Sequence, residues 1–352
     1  VIAAPTFDPP FLNRQIDSIF HLINIYSESG RQGEINKLIQ EGIQKVEGNK
    51  MAVNFYVRLS HYYQEIQQPE YVAKYDPKII ELAEELTHQQ GADAESRRWK
   101  ALGHFFLGQV YERQGRIDRA MQEYKTLLEV PVPRNQVAMR YVQATNALIN
   151  FYEKSGKSAE IERLISQVME KLRKRTRALA TLHSNASAYH LRNGRWRETR
   201  QHCLQALNLI STLPRNNQSQ RIEGLAYLNL AKVYEKTGNR PQQIEALQKV
   251  LALQPAAPAL LNCQIDAHLQ LINLYHQSGR KDAIDKLIPE GAKKVEEALH
   301  KAQRGPMKLE SIKTAIRFYF TAGEHYKESN QGKEAKYYYE RVLELNHQLN
   351  GK

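Results

Sequence analysis

Leu271-Ile-Asn-Leu-Tyr-His-Gln-Ser-Gly-Arg280 recurs with few changes as Leu148-Ile-Asn-Phe-Tyr-Glu-Lys-Ser-Gly-Lys157 and as Leu22-Ile-Asn-Ile-Tyr-Ser-Glu-Ser-Gly-Arg31. Between Leu22 to Glu47 and Leu271 to Glu296, 16 of 26 aligned positions are identical, which is duplication and not chance. Each copy is an apolar-periodic run that reaches a tyrosine and meets a glycine four residues later, the signature of a helix and its stop signal. Weaker copies lie between them. Their anchors are Tyr26, Tyr63, Tyr111, Tyr152, His190, Tyr234, Tyr275 and Tyr326, spaced by 37 to 51 residues, so the chain reads as eight units. The clearest is Leu225-Ala-Tyr-Leu-Asn-Leu-Ala-Lys-Val-Tyr-Glu-Lys-Thr-Gly238, followed by a second apolar run through Ile244, Leu247, Val250 and Leu251. Two periodic runs around a glycine turn describe an antiparallel helix pair.

These offsets resemble the tetratricopeptide repeat. The third unit matches through Leu107, Gly108, Tyr111, Gly115, Ala120, Tyr124 and Pro131, the eighth through Ala322, Gly323, Tyr326, Ala335 and Tyr339. Gly108, Ala231, Gly323, Ser60 and Ser187 sit three residues before their anchors, where a small side chain lets two helices approach. Two departures stand out. The spacing exceeds the roughly 34 residues of the standard repeat, and units one, four and seven carry Ile23, Ile149 and Ile272 in the small-residue slot, so their helix packing should differ. The resemblance implies an all-α, right-handed α-solenoid superhelix of about eight helix pairs. Residues 1–10 read as an N-terminal extension or linker and 11–352 as the solenoid, within a longer natural chain. In the second unit a long connection, 67–77, is expected before a helix capped near Asp76, with further connections at 131–133, 212–220, 254–258 and 303–306.

Composition excludes several classes. With 352 residues, 41% hydrophobic and 25% charged, the chain is foldable and not disordered. No apolar run approaches the roughly 20 residues that span a bilayer, so membrane insertion is not expected. Two cysteines, Cys203 and Cys263, cannot form a disulfide framework or a thiolate zinc site alone and read as small core residues. That low usage leans towards the cytoplasm, with a cleaved export signal as the alternative for a chain that begins at Val1. No HExxH pair, Walker-type glycine loop or CxxC occurs. His183 and His190, seven apart, share a helix face, and His202 and Cys203 point to different sides of theirs, so no nucleophile–base pair forms. The chain is expected to be neither an enzyme nor a carrier of metal or cofactor.

A binding role has more behind it. The resemblance implies that residues two, five, six and nine before each anchor face the inner surface of the superhelix. Two before the anchors stand Asn24, Asn150, Lys232 and Asn273 among others; five before stand Asn185, Asn229, Gln270 and Thr321. Asn150, Asn185, Asn229 and Asn273 come from four consecutive repeats, with Asn146 beside them. An asparagine amide donates and accepts at once, so a row of them suits the backbone of an extended peptide. Helix-interior asparagines that merely pair with neighbours are the plainer reading of any single one. Lys154, Arg192, Lys232 and Lys236 bias the surface towards acidic segments. The clamp that some family members use for a terminal carboxylate is not present, because its basic slots hold residues such as Gln143 and Leu225.

The formal charge is +12, and Lys171, Arg173, Lys174, Arg175, Arg177, Arg192, Arg195, Arg197 and Arg200 cluster with two acids between 170 and 200, Glu170 and Glu198. A basic, solvated turn region is the plainest reading of such a patch, and an acidic protein partner drawn by its charge comes second. No nucleic-acid module accompanies it, so nucleic acid is not the expected partner. The expected function is a non-catalytic scaffold that holds an extended, acidic segment of a partner protein. The competing expectation is the sensor or regulatory half of a larger signalling protein that responds to a peptide or small effector.

Overall fold

The computed structural model describes residues 9–88, 93–131, 135–254, 258–302 and 305–350. The chain divides into two compact units, Val1–Lys171 and Leu172–Lys352. Helices make up both, and no strand occurs among the described residues. The first unit runs α1 (Pro9–Glu28), α2 (Gln32–Val46), α3 (Ala52–Glu65), α4 (Pro69–Thr87), α5 (Ala94–Arg113), α6 (Ile117–Glu129), α7 (Asn135–Lys154) and α8 (Ser158–Leu172, whose last residue begins the second unit). The second runs α9 (Thr176–Arg192), α10 (Trp196–Ser211), α11 (Asn217–Lys236), α12 (Arg240–Leu251), α13 (Pro258–Gln277), α14 (Lys281–Lys301), α15 (Gly305–Glu328) and α16 (Gly332–Asn350). Odd-numbered helices carry the anchors and even-numbered ones return, so the chain is an all-α array of helix pairs.

Each pair is closed in the same way. The residue four after the anchor takes a left-handed backbone: Gly30, Gln67, Gly115, Gly156, Gly194, Gly238, Gly279 and Asn330 have φ between 57° and 71°. The next residue's N–H then donates back to the anchor carbonyl, as from Arg116 to Tyr111 and Arg195 to His190 at 2.9 Å and from Asn239 to Tyr234 at 2.8 Å. This Schellman geometry satisfies carbonyls that a helix end leaves open and reverses the chain within a few residues.

Small residues set how closely the helices pack. A Cβ on Gly108 would sit 2.5 Å from the ring of Tyr124, and one on Gly323 would sit 2.8 Å from Tyr339, so in units three and eight the first helix rests directly on a tyrosine of the second. In units one and seven, Ile23 and Ile272 are buried in the slot instead. There the small residue has moved to the second helix: Gly42 lies against the ring of Phe55, and Gly291 against Phe318, both on the first helix of the following unit. Units one and seven thus pack differently, with a close approach of glycine to an aromatic ring between repeats.

The second repeat departs from expectation. α4 begins at Pro69, not near Asp76, and Pro77 lies inside it. Tyr71 and Tyr75 stack on Tyr63 with ring centroids at 4.3 and 5.8 Å, which fastens the additional turns onto α3 and offsets part of the cost of an interior proline, about 3 kcal/mol. Asp76 is no cap. It is buried, accepting from Ser60 Oγ at 3.0 Å and from Arg113 Nη2 at 2.7 Å. Pro9 and Pro10 belong to α1, so helix starts inside the expected extension, while residues 1–8 lie outside the described set. The connections at 131–133, 254–258 and 303–306 fall partly outside it as well. The one at 212–220 is seen: Asn216 and Ser219 form a capping box that opens α11.

No atom lies within 4 Å of a Cβ placed on Gly238, so the cost of Gly238→Ala comes from its φ of 71° alone. Urea denaturation should show a loss of about 1 kcal/mol for this variant. Gln67→Gly relieves the same strain and should gain about 0.5 kcal/mol, less because glycine also widens the unfolded ensemble.

Candidate functional site

Residues nine, six, five and two before an anchor fall along one side of a helix, because 3.6 residues complete a turn. In the second unit those positions meet. Lys232 of α11, Asp266, Leu269, Gln270 and Asn273 of α13, and Arg317, Phe320 and Thr321 of α15 line a groove of about 660 Å³. Leu191 and Arg192 from α9 and Trp196 from α10 contribute to the same wall, as do Glu235 and Lys236 at the end of α11. The groove combines four cationic side chains with two carboxylates, two amides and an apolar strip. Phe320 keeps 52% of its surface exposed, so the groove offers an uncovered ring to whatever lies in it.

One ion pair crosses between the helices: Arg317 Nη2 stands 2.8 Å from Asp266 Oδ1. Burial raises the Asp266 carboxyl above its ordinary value, while the charges of Arg317 and Lys232 act in the opposite direction.

Four of the residues expected at the site, Asn273, Arg192, Lys232 and Lys236, line this groove. The others lie elsewhere. Asn229 is buried, and its Nδ2 donates to Ser187 Oγ at 3.0 Å, joining α11 to the small-residue slot of α9. Its amide holds two helices together. Asn185 is half-buried on α9 and is not among the groove residues. Asn146, half-buried, and Asn150 and Lys154, exposed, sit on α7 in the first unit. Of the wider basic cluster, Lys171 Nζ donates to the Leu128 carbonyl at the end of α6, a helix C-terminus that attracts a cation. Asp266, Arg317, Leu269 and Phe320 occupy the offsets nine and six before their anchors. Those two offsets locate them in the sequence as two and five locate Asn273 and Gln270. Trp196 follows the turn and no offset reaches it.

The histidines cluster without making a metal site. His183 Nδ1 lies 2.9 Å from His202 Nδ1, and the His190 ring stacks on His202 with centroids 5.0 Å apart. A bond between two ring nitrogens needs one protonated and one bare nitrogen, which a pair of neutral imidazoles supplies. Burial holds both His183 and His202 at about 4; the neighbouring histidine adds to this in each, and Glu198 opposes it at His202. Cys203 is fully buried, its thiol pushed up to about 12 by burial, which leaves it inert beside His202. Among the described residues no group of three or more His, Cys, Asp or Glu could hold a metal ion, and no helix is long and apolar enough to cross a membrane.

Two segments, 103–131 and 225–256, match the tetratricopeptide-repeat family model. They cover the third and sixth units. A search of curated protein sequences returns no match. Among solved structures, the chain is similar to BtubC (BKLC) from P. vanneervenii, at 14% identity over 69% of this chain and 94% of that one, with a TM-score of 0.45. It is similar to the apo form of the quorum sensor NprR from B. thuringiensis, at 12% identity over 96% and 99%, TM-score 0.45. A Rap protein complexed with competence and sporulation factor is 12% identical over 97% and 99%, TM-score 0.42. Likenesses this distant say nothing of what the present chain binds.

Two outcomes follow from the geometry. Asn229→Ala should lower stability by about 1–2 kcal/mol, seen as an earlier urea midpoint, because it removes a buried inter-repeat hydrogen bond. In the unfolded chain His183 and His202 take up protons near 6.5, whereas in the folded chain they resist until about 4. Their contribution is therefore complete above pH 6.5 and lost as the pH falls towards 4. Thermal melts across that window should show a falling midpoint, and His202→Gln should flatten the fall.

Proposed function

We propose that this chain, a tetratricopeptide-repeat protein, is a non-catalytic scaffold that holds an extended, acidic segment of a partner protein in the groove of its second unit. The observation that carries this reading is the meeting of the inward offsets of three consecutive repeats in one groove, with their cations, amides and exposed ring. Lys232, Lys236, Arg192 and Arg317 attract a carboxylate-rich segment and speed its encounter. Asn273 and Gln270 present amides that can donate to and accept from a peptide backbone. Phe320 and Leu269 give one apolar side chain of that segment a place to lie. Nothing in this arrangement needs a metal, a cofactor or a nucleophile.

A fluorescein-labelled decapeptide of alternating glutamate and leucine serves as the probe, read by fluorescence anisotropy. Lys232→Glu combined with Lys236→Glu should weaken its binding at least about tenfold and flatten the salt dependence. Asn273→Ala should cost about 1 kcal/mol of affinity. Binding that is indifferent to all three changes would place the ligand elsewhere on the chain.

A further inference from the structure

The groove already contains a carboxylate at its cationic centre. Asp266 projects from α13, Arg317 reaches it from α15 at 2.8 Å, and the charge of Lys232 on α11 acts on it from the other side. The Arg317 side chain is 60% exposed and that of Asp266 35% exposed, so the pair faces the groove and a ligand can reach it. Asp266 is nine residues before the anchor Tyr275, and the same position in the first repeat is Asp17. Asp17 is also paired with an arginine of the following repeat's first helix: Arg58 Nη1 lies 2.5 Å from Asp17 Oδ1. The fourth repeat, the third copy of the same phrase, has Gln143 there. An aspartate nine before the anchor thus bridges to an arginine of the next first helix in two of the three copies, Arg58 standing five and Arg317 nine residues before its own anchor.

We infer that Asp266 is a specificity-determining residue that stands in for a ligand carboxylate, so that an acidic segment binds by displacing it from Arg317. This rests on the reading of the groove given above. An incoming carboxylate gains Arg317 and Lys232 only by breaking the internal pair, and it must then lie close to the like charge of Asp266. Such juxtaposition opposes binding. The internal pair therefore sets a threshold: a single weak anion leaves Arg317 with Asp266, while a segment that also engages the Asn273 amide and the Phe320 ring draws the arginine away. Burial of the Asp266 carboxyl keeps its own charge poorly hydrated once Arg317 leaves, which adds to the threshold.

The test uses the full chain, the glutamate–leucine decapeptide and a glutamine–leucine decapeptide of equal length. Asp266→Asn should bind the acidic peptide about tenfold tighter than the unaltered chain, because the repulsion and the competition vanish together. Its affinity for the neutral peptide should stay unchanged, which also checks that the groove is intact. Asp266→Ala should behave alike, and Arg317→Gln should remove the gain when combined with Asp266→Asn. Equal tightening for both peptides, or no tightening while Lys232→Glu with Lys236→Glu still weakens binding, overturns the role of Asp266 and leaves the groove standing. Acidic-peptide binding that ignores the lysine changes as well overturns the groove reading itself.

Discussion

A single backbone hydrogen bond, from the residue after each left-handed turn to the carbonyl of its anchor, is the constraint on which the rest of the array depends. A helix end leaves its last carbonyls open, and burying them costs free energy unless they find donors. The left-handed residue turns the chain so that a donor arrives within two positions. Because the reversal is this short, the second helix has to run back along the first. The anchor side chains are then brought under the returning helix, where Tyr111, Tyr275 and Tyr326 are buried. The six glycine turns make this conformation cheap. Gln67 and Asn330 adopt it without that help, held by the packing of their repeats.

Once the pair is formed, side-chain volume decides how near its helices and its neighbours come. A glycine opposite an aromatic ring is the recurring solution, but its location is not constant. Gly108 and Gly323 put the contact inside a repeat, whereas Gly42 and Gly291 put it between repeats. Exchanging which partner is small preserves close packing, since what the interior requires is a matched total volume and not a given residue at a given place. The same need for satisfaction explains the polar residues of the interior. Asp76 between Ser60 and Arg113, and Asn229 on Ser187, each occupy a slot where a small hydroxyl side chain has left room for a hydrogen bond.

The groove of the second unit is a by-product of this arithmetic. Helices that bury one stripe against their partners leave another on the open side, and in successive repeats those stripes carry the same offsets. Charge then differentiates the stripe. Lys232, Asp266 and Arg317 come from three helices, and Arg317 pairs with Asp266, so the groove is not a uniformly basic surface.

The repeat count, the turn positions and the helix-pair architecture were legible in the residues, because they follow from periodicity and from local backbone chemistry that each segment carries within itself. The inward offsets were legible too, and the structure brings Asn273 and Lys232, both on them, into the lining of one groove. What failed was the assumption that every asparagine on an inward offset is open. Asn229 and Asn185 share an offset, yet one donates across to Ser187 and the other does not, since that depends on the side chain facing it from the neighbouring repeat. The start of α4 at Pro69 was hidden for a similar reason: stacking of Tyr71 and Tyr75 on Tyr63 overrides a proline that, read locally, ends a helix. Sequence alone determined the path of the chain, while only the tertiary structure decided which polar groups remain for a ligand, because hydrogen bonding between repeats is a property of pairs that lie some forty residues apart.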